Sequence, residues 1–218
     1  MTAEPADQPL DREMLVALIT QEVMATLAEH VPLPEAGPDP SRVLLVGHGW
    51  DRGEGDHRGN LDELARLLRG LDLELAGAWF GGSPLRGGLD ALAGVGTVIS
   101  LPRGRTAARC LSRRLGATLV ETDPPLGLSG TRLWLEAVAA ATDREAACAA
   151  LVERELGDLA PRLEPLVSHD LLHRRLAFLG EPALAAGLAV LGRELGFELA
   201  AAILPARPHH RDDLADPE

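Results

Sequence analysis

The chain contains no lysine and no tyrosine, and it has only 2 cysteines, 3 phenylalanines and 3 tryptophans among 218 residues. Each scarcity closes a route. Without lysine no Walker-type phosphate loop can be completed, and arginine carries all the positive charge. Cys110 and Cys148 both fall in helical patterns, where they read as small core residues, so neither a disulfide framework nor a zinc site is expected. No window approaches the roughly 18–20 apolar residues of a membrane span, and the acidic start MTAEPADQPLDRE has no basic region ahead of an apolar one. A cytoplasmic location without membrane attachment is therefore expected. The net charge of −12, with cations interleaved among acids, argues against a nucleic-acid surface. No G-x-S-x-G elbow is present, which removes the commonest hydrolytic arrangement.

What is there reads as an ordinary globular chain. Hydrophobic residues make up 46% and charged residues 25%, and a chain of this length buries roughly 70% of its unfolded surface. The segment Val43 to Trp79 organises the rest. An apolar run, Val43 to Val46, meets Gly47 and a polar loop. A helix should follow, with Leu61, Leu64, Leu67, Leu68 and Leu71 on one face and Asp62, Glu63, Arg66 and Arg69 on the other. Asn60 and Glu63 form a capping-box pattern that places the helix start at Asn60, and Gly70 supplies a left-handed stop. A strand over Leu73 to Phe80 completes a βαβ unit.

In chain order, Asp11 is a candidate N-cap for an amphipathic helix whose stripe is Leu15, Leu18, Ile19, Val23 and Leu27. That stripe packs either on this chain's own sheet or on a partner subunit. Further strands are expected at Thr97 to Leu101 and within ATLVET, and helices at Arg105 to Leu115, Leu128 to Ala141, Arg144 to Glu155 and Leu159 to Leu172, with breaks near Thr142, Gly157 and Pro161. Arg175 to Gly180 and Leu199 to Leu204 should be strands around a helix from Pro182 to Leu195. The alternation implies a Rossmann-like α/β fold, a parallel sheet with helices on both faces, plus an incomplete second βαβ unit. The expected divisions are an N-terminal helix and linker (1–40), the Rossmann-like domain (41–142), a helical connection (143–173), the partial second unit (174–205) and a polar tail (206–218). The open strand edges of the last unit should be covered by the first sheet or by another chain.

The loop HGWDRGEGDHRGN follows the first strand, at the sheet edge where α/β proteins bind ligands. A dinucleotide fingerprint fails because Arg52 stands where the third glycine belongs, and a corrinoid D-x-H-x-x-G pattern around His57 fails because Gly55 and Asn60 occupy its aspartate and glycine positions. A metal site from His48, Asp51, Glu54, Asp56 and His57 remains open, beside the alternative of a solvated loop in which Arg52 and Arg58 pair with acids. His169 and His173 have the i, i+4 spacing of a chelating pair, with no third ligand evident. If the first and third strands are neighbours, the loop from His48 to His57 and the turn at Arg103 open on one edge. Arg103 would then offer a fixed cation to an anionic ligand or pair with Asp51 or Glu54.

Three stretches together resemble the nitrogenase component 1 family, which includes nitrogenase molybdenum–iron protein subunits, their cofactor-assembly relatives and dark-operative protochlorophyllide reductase subunits. Val43 to Ser83 carries a strand and glycine, then N-L-x-E-L-x-R-L-L and a glycine-serine loop. Thr97 to Thr131 carries a strand, an A-A-x-x-L-x-x-x-x-G helix, a strand and the P-[IL]-G-[LIV]-x-x-T element, here Pro125, Leu126, Gly127, Leu128 and Thr131. Leu176 to Phe197 carries a strand, G-[DE]-P and L-x-x-x-L-x-x-L-G. The resemblance is to the middle domain and the opening of the third.

That resemblance implies an oxidoreductase linked to an iron–sulfur site and fed by an ATP-dependent reductase. It places Arg103 at a cofactor-facing position and the His48 to His57 loop, with Asp51, Arg52, Glu54 and Asp56, at an inter-domain cleft. The family's cofactor-ligating cysteine corresponds to Leu101, and the cysteine-bearing N-terminal domain and most of the third domain have no counterpart. The expectation is a chain with no cofactor of its own, any iron–sulfur or metal cluster coming from a partner. It would work as a homo- or hetero-oligomer with a nitrogenase-like subunit. The alternatives are a non-catalytic accessory or scaffold protein and a small-molecule binding domain.

Overall fold

The computed structural model describes residues 12–48, 55–79, 88–180 and 182–204. By internal contacts the chain divides into two compact units, one drawn from residues up to Ala65 and from Leu73–Glu121, the other from Arg66–Asp72 and from Thr122 onward. The first contains helix α1 (Arg12–His30), strand β1 (Asp39–Val46), most of helix α2 (Gly55–Arg69), strands β2 (Glu74–Trp79) and β3 (Val95–Ser100), helix α3 (Arg105–Leu115) and strand β4 (Thr118–Glu121). The strands form one sheet in the order β2-β1-β3-β4, parallel throughout.

Val43, Leu44, Leu45 and Val46 are all buried. Successive residues of a strand face opposite ways, so four in a row without exposure mean that the sheet is covered on both faces, as a parallel sheet requires. On one face Leu44, Val46, Val98 and Trp79 pack with Met24, Ala28 and Val31 and with Ala107, Ala108 and Leu111 of α3. Arg114 ties this layer together, because its guanidinium donates to the carbonyls of Ala28 and Val31 at the C-terminal end of α1. A cation there satisfies carbonyls that have no partner within the helix and complements its dipole.

The buried face of α1 differs from the expected stripe. Met24 and Ala28 are inside, with Val31 just beyond, whereas Val23 and Leu27 are 38% and 44% exposed; Asp11 and the side chains of Leu15, Leu18 and Ile19 lie outside the described residues. The reason is the neighbour. The α1 helix packs on α3, whose contact surface includes Ala107 and Ala108, and two helices approach closely where the side chains are small. Ala28 fits that approach and leucine does not.

Two boundaries of α2 also differ. The helix begins at Gly55, so Asn60 lies inside it and is not its cap. At the other end Asp72, with φ of 56°, takes the left-handed conformation, and Gly70 does not. Gly70 is needed for a different reason: a Cβ there would stand 2.7 Å from a methyl of Leu151.

The second unit holds helices α4 (Gly127–Thr142) and α5 (Glu145–Leu166), strand β5 (Arg175–Leu179), helix α6 (Pro182–Leu195) and strand β6 (Glu198–Ile203). Trp134, Leu135, Val138 and Ala139 of α4 and Cys148 and Leu151 of α5 are buried. Arg66 and Glu155 form a two-pronged ion pair at 2.7 and 2.8 Å. The expected interruption near Gly157 and Pro161 does not occur, since α5 runs through both, with Pro161 and Pro165 inside it. A proline removes one i to i−4 bond and crowds one carbonyl. Here that carbonyl belongs to exposed Gly157, which water can satisfy. The helix then widens into a π-helical turn at Val167–Leu171. Strands β5 and β6 pair in parallel as a separate two-stranded sheet. Among the described residues no helix is long and apolar enough to cross a membrane.

Candidate functional site

The carboxyl edge of the four-stranded sheet is a row of residues in register. Trp79 pairs with Val46, Val46 with Ser100, and Ser100 with Glu121. Since β1 and β3 are direct neighbours, the segments that leave them meet. The Leu101 N–H donates to the Val46 carbonyl at 2.9 Å, continuing the ladder one residue beyond the strand. Gly47, with φ of 89°, then lies against Gly104 so closely that a Cβ on it would be 2.5 Å from the Gly104 nitrogen; a Cβ on Gly104 would be 2.7 Å from the Gly47 nitrogen. Only glycine on both sides permits this backbone-to-backbone approach. His48 follows one side of the seam, and Arg103, in a single 3-10 turn at Pro102–Gly104, precedes the other. Both are half-buried, and each already engages in an interaction.

Of the remaining candidates, Asp51, Arg52 and Glu54 lie outside the described residues, and Asp56 and His57 belong to the first turn of α2 with side chains that also lie outside them. The seam therefore joins the start of the His48 loop to the Arg103 turn, and the structure describes no more of that loop's side chains.

Three groups at this edge escaped the sequence reading. Arg105 starts α3 and donates to the Ser100 carbonyl at 2.8 Å, pinning the turn that carries Arg103. Ser100 is wholly buried at the strand end, with its hydroxyl directed at the Leu101 carbonyl. Glu121, the last residue of β4, holds Arg109 through two hydrogen bonds at 2.7 and 3.1 Å. The bonding to Arg109 keeps the Glu121 carboxyl below its ordinary range and raises the arginine. The signal for Arg105 was available: two arginines flanking a glycine just after a strand, at a helix N-terminus, concentrate positive potential where a ligand of an α/β protein would sit.

The other chemical candidates belong to other elements. Cys110 is partly buried against the α3 side of the core, and Cys148 is buried in α5, where burial, with Glu136 adding to it, pushes its thiol up. Leu101, at the position the resemblance assigns to a ligating cysteine, is buried. His169 and His173 do not share a helical face. The first lies in the π-helical turn with Nδ1 2.8 Å from the Pro165 carbonyl, and the second has a left-handed φ of 61°. Among the described residues no three histidine, cysteine or acidic side chains are grouped to hold a metal.

A parallel sheet with strands in the order 2-1-3-4, covered on both faces and with a glycine seam at its carboxyl edge, defines a Rossmann-like α/β protein. The family model for nitrogenase component 1 type oxidoreductases matches residues 14–217, and the chain belongs to that family. Among solved structures, nitrogenase Cp1 at pH 5 superposes with a TM-score of 0.64 at 10% identity, covering 84% of this chain and 36% of that one. The same protein at pH 6.5 gives 0.64, 10%, 84% and 35%. At such identity the likeness concerns the fold. The chain spans about a third of the length of these relatives. No curated protein matches it.

Proposed function

We propose that this chain is an oxidoreductase subunit or domain of the nitrogenase component 1 type that works only in an assembly. It would supply a Rossmann-like wall and a cationic sheet edge, while a partner supplies the iron–sulfur or metal cluster. The observation that carries the reading is the Gly47–Gly104 seam within a family-matched chain. A backbone approach this close, flanked by Arg103, Arg105 and the N-terminus of α3, suits an anionic cofactor or its carboxylate arms. His48, Asp51, Arg52, Glu54, Asp56 and His57 would line the adjoining wall. The placement of Cys110 and Cys148 in helices supports a chain that holds no cluster itself. Electrons would come through an ATP-dependent reductase acting on the assembled complex. A non-catalytic accessory or scaffold role in cofactor assembly is the second reading, favoured by Leu101 standing where a ligating cysteine would be needed.

Anaerobic purification of the chain alone, followed by iron and sulfide assay, tests the first part. The expected result is no stoichiometric iron and no broad visible absorbance. Copurification with a cysteine-bearing subunit should restore both, with reduction of the cluster by the ATP-dependent partner if the complex is catalytic and none if the role is accessory. Stoichiometric iron in the isolated chain would sink the proposal.

A further inference from the structure

The N-terminus of α4 is capped from a distance. Helix α4 begins at Gly127 with no side-chain cap of its own, and its first N–H groups need partners. The carboxylate of Glu194, on α6, accepts from Leu128 N–H through Oε2 at 2.9 Å and from Ser129 N–H through Oε1 at 2.8 Å. The two helices pack around that contact. Leu191 and Glu194 close over Gly127, and a Cβ on Gly187 would strike the side chain of Leu126. Thr131 donates back to the Gly127 carbonyl at 2.7 Å and holds the first turn of α4 in place. The Pro125 to Thr131 element thus serves as the socket for α6.

Glu194 is badly placed for its own helix. It lies in the last turn of α6, next to Arg193, where the helix dipole disfavours an anion. At the N-terminus of α4 the same carboxylate is favoured by the dipole and by two charge-assisted hydrogen bonds. Its charge therefore stabilises α6 only when α6 is docked. The rest of this small unit is tied to the helix. The His173 N–H donates to the Gly196 carbonyl, Leu172 fills the space at Gly196, and β6 pairs with β5. The link back to α5 is the π-helical turn Val167–Leu171, a one-residue widening of the kind that often acts as a joint.

We propose that Glu194 is an acid-released latch, which holds the β5–α6–β6 unit on the N-terminus of α4 while ionised and frees it to swing about the Val167–Leu171 turn when protonated. The groups facing the carboxylate are the Leu128 and Ser129 N–H groups and the Ser129 hydroxyl from α4, with Arg193 acting on it from α6. Desolvation raises the carboxyl, but the bonds from Ser129 and Leu128 and the charge of Arg193 outweigh it and hold it below the ordinary range. A carboxyl lowered in the docked state stabilises docking above its ordinary range and loses that contribution as pH falls through the lowered value. Release is thus an acid-side event.

Hydrogen exchange read by mass spectrometry on the full chain tests this. Between about pH 7 and about pH 3, with intrinsic rates corrected, peptides covering 126–130 and 182–203 should lose protection together by roughly threefold or more, while α5 peptides over 145–160 keep theirs. Glu194→Gln, which keeps the shape but can accept only through one atom, should show the released pattern already at neutral pH and change little on acidification. Glu194→Asp keeps the charge with a shorter reach, so it should be partly released at neutral pH and still respond to acid. Exchange of Glu194→Gln equal to that of the wild type at neutral pH would overturn the proposal. So would an acid response that is uniform over the chain, or one that Glu194→Gln retains in full.

Discussion

At the scale of single residues, the site depends on two positions that lack a side chain. Gly47 and Gly104 are 57 residues apart in sequence, yet each occupies space that a methyl group on the other would need. Alanine at either should force the β1 and β3 exits apart. Gly47→Ala and Gly104→Ala are each expected to cost about 1–3 kcal/mol, the usual range for overpacking a tight contact, and Gly47→Ala adds the strain of a positive φ. Urea denaturation reads this directly. A midpoint within error of the wild type for both variants would mean that the seam is not a tight fit. Gly47 was legible in the sequence as the end of a strand. Its contact with Gly104 was not, because nothing local in either stretch reports a backbone approach between segments so far apart. The same gap hid the reason for Gly70, which makes room for Leu151 and not for a left-handed turn.

At the scale of elements, periodicity and glycine stops located most strands and helices well. Helix α3 at Arg105–Leu115 and α6 at Pro182–Leu195 coincide with the expected spans, since each ends at a glycine with positive φ, Gly116 or Gly196. The misses share a cause: the outcome was set by what the element packs against or by whether it is exposed. Helix α1 buries Met24 and Ala28 because its neighbour α3 presents alanines. Helix α5 absorbs two prolines because that part of it faces outward, and the i, i+4 histidines then lose their shared face in the π-helical turn that follows. If α5 is helical through Pro161, Pro161→Ala restores a donor to the Gly157 carbonyl and removes a ring clash, so it should stabilise the chain. An interior proline costs about 3 kcal/mol against alanine, offset by up to about 1 kcal/mol of unfolded-state entropy that proline had removed. A rise of about 2–3 kcal/mol in unfolding free energy is expected. A fall would show that α5 is broken there after all.

For the whole molecule, the family was legible because several moderately specific stretches occur in the right order and spacing, a signal that survives 10% identity. The composition of the candidate site was less so, because its residues come from a loop whose sequence pattern fits no ligand fingerprint. Association belongs to this scale as well. In the β5–β6 sheet Leu179 pairs with Ile203 and Ala177 with Ala201, so each pair lies on one face. Leu179 and Ile203 are 70% and 62% exposed, and a parallel sheet is rarely left open to water. Val23 and Leu27 add a second apolar stripe on α1. Surface of this kind favours association, and the net charge of −12 opposes it at long range. Light scattering on the isolated chain should therefore give a mass above that of the monomer, rising with protein concentration and with added salt as the repulsion is screened. Leu179→Asp combined with Ile203→Asp should return it to monomer with the far-UV spectrum unchanged, because both side chains already face water. A concentration-independent monomer in the unmodified chain would count against self-association, and an unchanged mass in the double variant would move the interface away from β5 and β6.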